Sequence, residues 1–282
     1  MKNKLILFLA IIALTTLKLN AQNNLPKGNL FIIGGGDRTL SLMQSLISTA
    51  QLSAKDYIAV LPMSGEEPDS SYFYIKEDIQ PACPNTLIAN LNFTAQTANN
   101  QTMLDSLKHA KLIFITGGDQ TRFMKIVLHT PIYNAIHQAY QNGATISGTS
   151  AGAAVMSKIM ITGNQLKDTN YEATFDKLWD KNIEINEGLG LITNAIIDQH
   201  FVVRSRYNRL FSAIAAYPQM PCIGIDESTA IIVHQNKITV TGKSQVILMQ
   251  HPKNVQVTKD GYIKFKDLQL TFFTEGDSFT LQ

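Results

Sequence analysis

Residues 144–158 read ATISGTSAGAAVMSK, and the fold prediction starts from this stretch. Residues 144–147 have the apolar character of a short strand, and residues 151–158 have the composition of a helix. The turn between them is Gly148-Thr149-Ser150-Ala151-Gly152, in which a glycine stands two residues before and two residues after the serine. A strand that turns sharply into a helix in this way is one unit of an α/β fold.

The same order of strand and helix recurs on both sides of this unit. Apolar runs closed by glycine, proline or polar clusters predict strands, and apolar residues spaced three and four apart predict helices. Strands that are apolar throughout indicate a parallel sheet covered on both faces. We therefore predict an α/β fold with a doubly wound, mostly parallel sheet. The predicted strands are 29–33, 57–61, 86–91, 111–116, 144–147, 195–198, 222–225 and 230–234, and the predicted helices are 38–50, 70–79, 101–110, 120–128, 131–142, 151–158 and 204–216.

The pattern changes near residue 236. From there to residue 282, short strand-like runs alternate with glycine-containing turns, which predicts a β-rich C-terminal extension packed on the same domain. Residues 162–187 are polar and are predicted to be loop-rich. The chain has no internal repeat, and residues 22–282 are predicted to form one domain.

The N-terminus has the pattern of a targeting segment. Lys2 and Lys4 precede an apolar run over residues 5–17, which is shorter than the roughly 20 residues of a membrane span. This predicts a secretory signal peptide over residues 1–21, cleaved after Ala21. The mature protein would then be periplasmic or secreted, without a membrane partner. An uncleaved membrane anchor is the alternative.

Composition and charge restrict the function further. The net charge of +2, without a basic cluster that follows a phosphate backbone, argues against a nucleic-acid partner. Cys83 and Cys222 fit no metal-ligand spacing and are expected to be ordinary buried thiols, although export permits a disulfide. We expect no metal and no other cofactor. The expected partner is a substrate, and a homodimer with a second copy of the chain is a further option.

Ser150 is the predicted nucleophile. The pattern G-x-S-x-G between a strand and a helix is that of a nucleophile elbow, where the sharp turn leaves room only for very small flanking residues. The backbone N–H of Ala151, at the start of the following helix, can donate to a developing oxyanion. The sequence therefore predicts a serine hydrolase.

A nucleophilic serine needs a base and a group that orients the base. His200 follows the predicted strand 195–198 and begins a polar cluster, so it is the predicted base. Three carboxylates also stand at strand ends, namely Asp198, Asp226 and Glu227. The residues alone leave the choice among these three open.

Other polar and glycine-rich segments follow predicted strands. Gly117-Gly118 closes one strand, and its N–H groups can complete an oxyanion hole. Gly34-Gly35-Gly36-Asp37 has the same form and is not a dinucleotide-binding pattern. Arginine binds carboxylates through paired hydrogen bonds, so three arginines after His200 suggest an acidic substrate group or a free carboxyl terminus. These arginines are Arg204, Arg206 and Arg209.

Four ordered motifs and a C-terminal segment give the chain a resemblance to a known family. The motifs are FITGGDQTRFM (114–124), GTSAGAAVMS (148–157), DQHFVVRSRYNRL (198–210) and GIDESTAI (224–231), and the segment is EGDSFTL (275–281). Together they resemble cyanophycinase and its relatives, a serine peptidase family (S51) that also contains aspartyl dipeptidase. The resemblance covers nearly all of the predicted mature chain.

The resemblance implies a fold, a reaction and a set of roles. It implies a flavodoxin-like core related to class I glutamine amidotransferase domains, and hydrolysis of aspartyl, in particular β-aspartyl, peptide bonds. It implies Ser150 as nucleophile, His200 as base and Glu227 as the orienting carboxylate, with oxyanion N–H groups from Gly118 and Ala151. The residues implied to line the substrate pocket are Gln120, Asp198, Gln199, Arg204, Arg206 and Arg209.

Three other functions are weighed against this one. An esterase of the α/β-hydrolase type would place its acid between serine and histidine in the chain. A catalytically inactive binding module for acidic ligands would keep the arginines without needing Ser150. An amidotransferase-like enzyme would have cysteine where Ser150 stands.

Overall fold

The structure is a computed structural model that describes residues 25–167 and 176–281. The predicted signal peptide and its cleavage point after Ala21 lie outside the described residues. Within the described ranges, no helix is both long and apolar enough to cross a bilayer.

Strands and helices alternate through the first half of the chain, and strands predominate after residue 216. The strands are β1 (Asn29–Ile33), β2 (Tyr57–Leu61), β3 (Leu87–Asn90), β4 (Leu112–Ile115), β5 (Thr145–Thr149), β6 (Ile159–Gln165), β7 (Ile183–Glu187), β8 (Ile196–Gln199), β9 (Cys222–Ile225), β10 (Thr229–His234), β11 (Lys237–Gly242), β12 (Val246–Lys253), β13 (Gln256–Val257), β14 (Ile263–Lys264), β15 (Asp267–Phe273) and β16 (Ser278–Thr280). The α-helices are α1 (Leu40–Ala50), α2 (Pro68–Ile79), α3 (Gln101–His109), α4 (Gln120–Val127), α5 (Pro131–Gln141), α6 (Ala151–Ala154) and α7 (Tyr207–Ala216).

The largest sheet confirms the predicted α/β class. In the described chain it has eight strands, in the order β16-β11-β10-β1-β5-β4-β2-β3. The strands from β1 to β3 in this order run parallel, and β10, β11 and β16 continue the sheet antiparallel at the β1 edge. Ile33 pairs with Thr149, and Ile115 pairs with Gly148. Because β1, β4 and β5 end level with one another, the loops that follow them lie side by side.

Helices cover both faces of this central sheet. Along β1, Leu30 and Ile32 contribute to one core, and Phe31 and Ile33 contribute to the other. Helices α3, α4 and α5 close the first core, and α1 and α2 close the second. All four β1 side chains are fully buried, and each such burial contributes about 1.5–3 kcal/mol to folding. An apolar strand without alternation is therefore what this position requires.

A second sheet differs from the sequence prediction. The segment 195–198 was expected to continue the parallel layer, but β8 pairs with β9 in a separate four-stranded sheet of order β15-β12-β9-β8. On β8, Ile197 faces the core that it shares with the central sheet, whereas Ile196 faces a third core under α7. Both faces of β8 are thus buried, and a strand buried on both faces has the same apolar pattern in either sheet.

The C-terminal region is rich in β-structure, as predicted, and it divides between the two sheets. Strands β11 and β16 extend the central sheet, and β12 and β15 extend the second sheet. Residues 162–187 are predicted to be loop-rich, and residues 168–175 of this range lie outside the described residues. At the two ends of the range, residues 162–165 belong to β6 and residues 183–187 form β7, and these strands pair as an antiparallel ribbon. Only a few side chains of this ribbon are buried, among them Met160, Ile161 and Ile183. Its mostly polar composition therefore hides the strands.

The two cysteines are free and buried, as the sequence analysis favoured. Cys83 belongs to the core under α1 and α2, whereas Cys222 belongs to the core under α7. Burial raises the pKa of both thiols, so neither is poised as a thiolate. They do not form a disulfide with each other in this fold.

Candidate active site

Ser150 stands at the sharp turn between β5 and α6. Its φ of 53° lies in the left-handed region, which is rare for a residue other than glycine and is often found at functional sites. The flanking glycines are sterically required. A Cβ on Gly148 would stand 2.3 Å from the carbonyl oxygen of Gly152, and a Cβ on Gly152 would stand 2.3 Å from that of Ile115. The helix behind the serine is shorter than predicted, since α6 ends at Ala154 rather than at residue 158.

Ser150, His200 and Glu227 form a chain of hydrogen bonds. The Nδ1 atom of His200 is 2.5 Å from Oε1 of Glu227, and its Nε2 atom is 2.9 Å from Oγ of Ser150. Because an ionised carboxylate only accepts, Nδ1 carries the hydrogen and Nε2 is left to accept from the serine hydroxyl. This is the arrangement that prepares a serine to act as a nucleophile.

The three residues come from two sheets. Ser150 follows β5 of the central sheet, whereas His200 follows β8 and Glu227 follows β9 of the second sheet. The backbone N–H of His200 donates to the carbonyl oxygen of Gly34 at 2.7 Å, which joins the second sheet to the end of β1. The site therefore lies where the carboxyl ends of strands from both sheets converge.

The electrostatic surroundings favour a neutral imidazole. Burial lowers the pKa of His200 from its ordinary value, and the positive charges of Arg204 and Arg206 lower it further. The hydrogen bond and the charge of Glu227 act in the opposite direction. Because burial and the two arginines lower the pKa of His200, these surroundings favour the neutral form of its ring. It can then accept the proton of Ser150.

The glycines at residues 34–36 have a role that the sequence analysis did not assign. A Cβ on Gly35 would lie 2.2 Å from the Cε1 atom of His200, and a Cβ on Gly36 would lie 2.6 Å from the Cβ atom of Glu227. Both glycines also have positive φ, of 109° and 69°. The segment thus lets the backbone approach the histidine and the glutamate closely. In the sequence, only the position of this segment after a buried strand could have indicated that role.

The three carboxylates that the sequence offers as partners of His200 bind different groups in the structure. Asp198 makes a buried bidentate ion pair with Arg209, one bond of which is 2.9 Å long. Asp226 accepts from the N–H groups of Val202 and Val203, both at 2.9 Å, and from the hydroxyl of Ser244 at 2.6 Å. Glu227 alone of the three has its carboxylate on His200.

The Asp198–Arg209 pair is expected to matter for stability. The two side chains are 1% and 4% exposed, so Asp198→Asn leaves the buried guanidinium without a compensating charge. We expect a loss of about 3–5 kcal/mol in the free energy of unfolding, measured by urea denaturation. The exposed pair Lys253–Asp267, at 3.6 Å, supplies the control. Asp267→Asn should change the free energy by less than about 1 kcal/mol, and an equal loss in both variants would contradict this account.

The predicted oxyanion donors lie next to Ser150. Ala151 follows Ser150 directly, and Gly118 lines the same cavity as Ser150. Gly118 has a φ of 135°, and a Cβ there would stand 2.1 Å from the carbonyl oxygen of Ser64. The turn after β4 is therefore held close to the loop that contains Ser64, and the N–H of Asp119 reinforces this contact at 2.8 Å.

A cavity of about 430 Å³ opens on one side of Ser150 and is rich in positive charge. Five of the six residues predicted to line a substrate pocket line it, and Asp198 stands behind Arg209. Lys125 also lines the cavity but was not predicted from the sequence. Its position one turn after Thr121, on the same face of α4, could have indicated this. We call this space the cationic cavity. Its lining residues include Asp119, Gln120, Lys125, Gln199, Arg204, Arg206 and Arg209.

The polar groups of the cationic cavity differ in how they are held. Arg206 donates to the backbone oxygen and to the side chain of Gln199, at 2.7 and 2.9 Å. Gln120 donates to the carbonyl oxygens of Ile161 and Thr162. Arg204 has a side chain that is 40% exposed and lies 3.9 Å from Glu227. The buried arginines thus form part of the wall, whereas Arg204 is the most exposed arginine that lines this cavity.

A second, smaller cavity of about 260 Å³ also borders Ser150, and its other lining residues differ from those of the cationic cavity. His200 lines this cavity together with Gly35 and Gly36, and Tyr74 and Ile75 of α2 also line it. Arg38 also lines it, and its Nε atom is 2.6 Å from the carboxylate of Asp78. We call this space the Tyr74 cavity.

Comparisons with known proteins identify the family to which the chain belongs. The model of a family described as peptidase family S51 matches residues 30–241. The chain is 32% identical to a cyanophycinase from Trichormus variabilis, over 90% of this chain and 86% of that protein. It is 29% identical to a cyanophycinase from Synechococcus elongatus, over 94% and 83% of the two chains.

Solved structures show the same fold. A peptidase from an acI-B1 actinobacterium superposes with a TM-score of 0.64 at 21% identity, over 92% of this chain and 98% of that one. A putative peptidase E protein from Listeria monocytogenes superposes with a TM-score of 0.53 at 17% identity, over 77% and 99%. The family match spans more than half of the chain and includes the segments of Ser150, His200 and Glu227. The chain therefore belongs to peptidase family S51 and is a serine-type peptidase.

Proposed function

We propose that this peptidase hydrolyses aspartyl peptide bonds, in particular β-aspartyl bonds, through an acyl-enzyme on Ser150. The observation that carries the proposal is the hydrogen-bonded chain from Ser150 through His200 to Glu227 beside a cationic cavity. In this mechanism His200 is the base, and Glu227 is the positioning residue that holds its ring. The order serine, histidine, acid along the chain differs from that of an α/β-hydrolase esterase.

The reaction has two halves. His200 accepts the hydroxyl proton as Oγ of Ser150 attacks the scissile carbonyl carbon, and the imidazolium then donates this proton to the departing amine. Water attacks the resulting ester with His200 again as base, which releases the acid and restores Ser150. In both halves the N–H groups of Gly118 and Ala151 are proposed to stabilise the oxyanion.

The cationic cavity supports an acidic substrate. Its lining carries Lys125, Arg204, Arg206 and Arg209 against Asp119, and Asp198 neutralises Arg209 from behind. A carboxylate of an aspartyl residue would complement the remaining charge, with Arg204 the most accessible arginine. Because the relatives are named cyanophycinase, cyanophycin is one substrate to test. Cyanophycin is a polyaspartate that carries arginine on its side chains.

The direct test is a substrate panel. Purified protein is incubated with cyanophycin, with α- and β-aspartyl dipeptides, with matched glutamyl and alanyl peptides, and with short acyl esters, and the products are identified by mass. Faster cleavage of aspartyl peptides than of alanyl peptides supports the proposal. Cleavage of esters without cleavage of any aspartyl peptide would contradict it.

The pH dependence tests the electrostatics of His200. Arg204 lowers the pKa of His200, so Arg204→Gln should raise it and shift the acidic limb of the kcat/KM profile to higher pH. Lys125→Gln is the control because Lys125 lines the same cavity without contributing to that pKa shift. We expect Lys125→Gln to weaken substrate binding and leave the limb in place. An unmoved limb in Arg204→Gln would show that its charge does not act on His200.

A further inference from the structure

Ser150 borders two cavities whose lining residues differ in chemistry. Ser150 lines both cavities, but His200 lines only the Tyr74 cavity, whereas Gly118 lines only the cationic cavity. The following inference rests on the proposed acyl-enzyme mechanism and concerns the direction in which the substrate lies across the serine.

The proton balance of acylation sets this direction. When the Oγ–carbon bond forms and the carbon–nitrogen bond breaks, the nitrogen must receive the proton that His200 took from Ser150. The departing amine must therefore lie on the side of Ser150 that the imidazole faces. The acyl part, whose oxyanion is directed at Gly118 and Ala151, lies on the other side.

We propose that the Tyr74 cavity binds the residue that leaves with the amine, and that Tyr74 determines the specificity for that residue. Tyr74 lies on α2, and this helix is anchored to the core by the buried side chains of Ile75 and Ile79. Tyr74 itself is 65% exposed and, with Ile75, it offers an apolar wall to a side chain in the cavity.

The charge of this cavity favours a neutral side chain. Arg38 is its lining arginine, and its guanidinium already binds Asp78 at 2.6 Å and the carbonyl oxygen of Gly36 at 3.2 Å. The positive charge is thus compensated within the wall, in contrast to the cationic cavity. An aromatic leaving residue gains a ring contact with Tyr74, whereas an acidic one finds no uncompensated charge among the residues that the structure shows lining this cavity.

The test compares aspartyl dipeptides that differ only in the leaving residue. The peptides carry phenylalanine, glycine or glutamate after the aspartyl group, in whichever linkage the substrate panel shows to be cleaved faster. For the wild type we expect kcat/KM to be about 10-fold higher for phenylalanine than for glycine, and glutamate not to exceed glycine. Tyr74→Ala should lower the ratio of phenylalanine to glycine about 5-fold or more and leave the value for glycine within about twofold.

Two further variants distinguish a direct contact between Tyr74 and the leaving residue from a general effect on the structure of α2. Phe73→Ala is the matched control because Phe73 is the preceding residue of α2, is 58% exposed and does not line the cavity. It should leave the ratio unchanged, and Tyr74→Phe should keep it because the ring remains. A uniform loss for all peptides in Tyr74→Ala, or a wild-type preference for glutamate, would overturn the assignment of this cavity. If the wild type cleaves no aspartyl peptide at all, the proposed function itself fails, and that result is distinct from cleavage without the expected preference.

Discussion

Replacing Ser150 by alanine should lower kcat/KM on an aspartyl peptide by about 10⁴-fold or more. The variant removes the atom that would form the acyl bond and the hydrogen bond of 2.9 Å to His200. It keeps the Cβ atom and therefore the same backbone preference at the strained position. The measurement is steady-state hydrolysis with product masses, together with Tm to show that the fold is retained.

Ser147→Ala is the matched control for this variant. Ser147 lies three residues earlier, on β5, is fully buried, and donates its hydroxyl to the carbonyl oxygen of Phe31 at 2.9 Å. Its removal should cost about 1 kcal/mol of stability and leave the rate nearly unchanged. Full activity in Ser150→Ala would show that another group attacks the peptide and would end the acyl-enzyme proposal.

Replacing Glu227 by glutamine should lower kcat/KM by about 10³- to 10⁴-fold. The amide no longer balances the positive charge that forms on His200, and it can hold the wrong tautomer of the ring. Glu227 raises the pKa of His200 through its hydrogen bond and charge. Its neutralisation should therefore lower that pKa and move the acidic limb of the residual activity to lower pH, opposite to the shift expected for Arg204→Gln.

The neighbouring carboxylates test whether this effect is specific to Glu227. Asp226→Asn disturbs the turn at Val202 and Val203, and Asp198→Asn disturbs the pair with Arg209. Both variants should lower the free energy of unfolding and leave the acidic limb nearly in place, with rates compared per folded molecule. A larger loss of rate per folded molecule in Asp198→Asn than in Glu227→Gln would transfer the positioning role to Asp198.

The local sequence pattern was sufficient to predict most of the secondary structure around Ser150. The strand limits 29–33, 57–61 and 222–225 agree with β1, β2 and β9 because fully buried strands are continuous apolar runs. The ribbon of β6 and β7 was missed because its strands are only partly buried and mix apolar with polar residues instead of forming a continuous apolar run. The assignment of 195–198 to the central sheet was wrong because burial on both faces does not specify which sheet covers a strand.

The sequence by itself determined the class of the fold, the elbow at Ser150 and the strand ends where polar residues gather. These depend on local sterics and periodicity, as the required glycines at 148 and 152 illustrate. Only the tertiary structure decided which carboxylate lies on His200, because Asp198, Asp226 and Glu227 all follow strand ends. Their partners come from other elements, namely Arg209 on α7, the turn after His200, and the imidazole of His200 itself. Contacts between segments that are distant in the sequence depend on how the two sheets pack. They therefore cannot be predicted from the spacing of residues along a single chain.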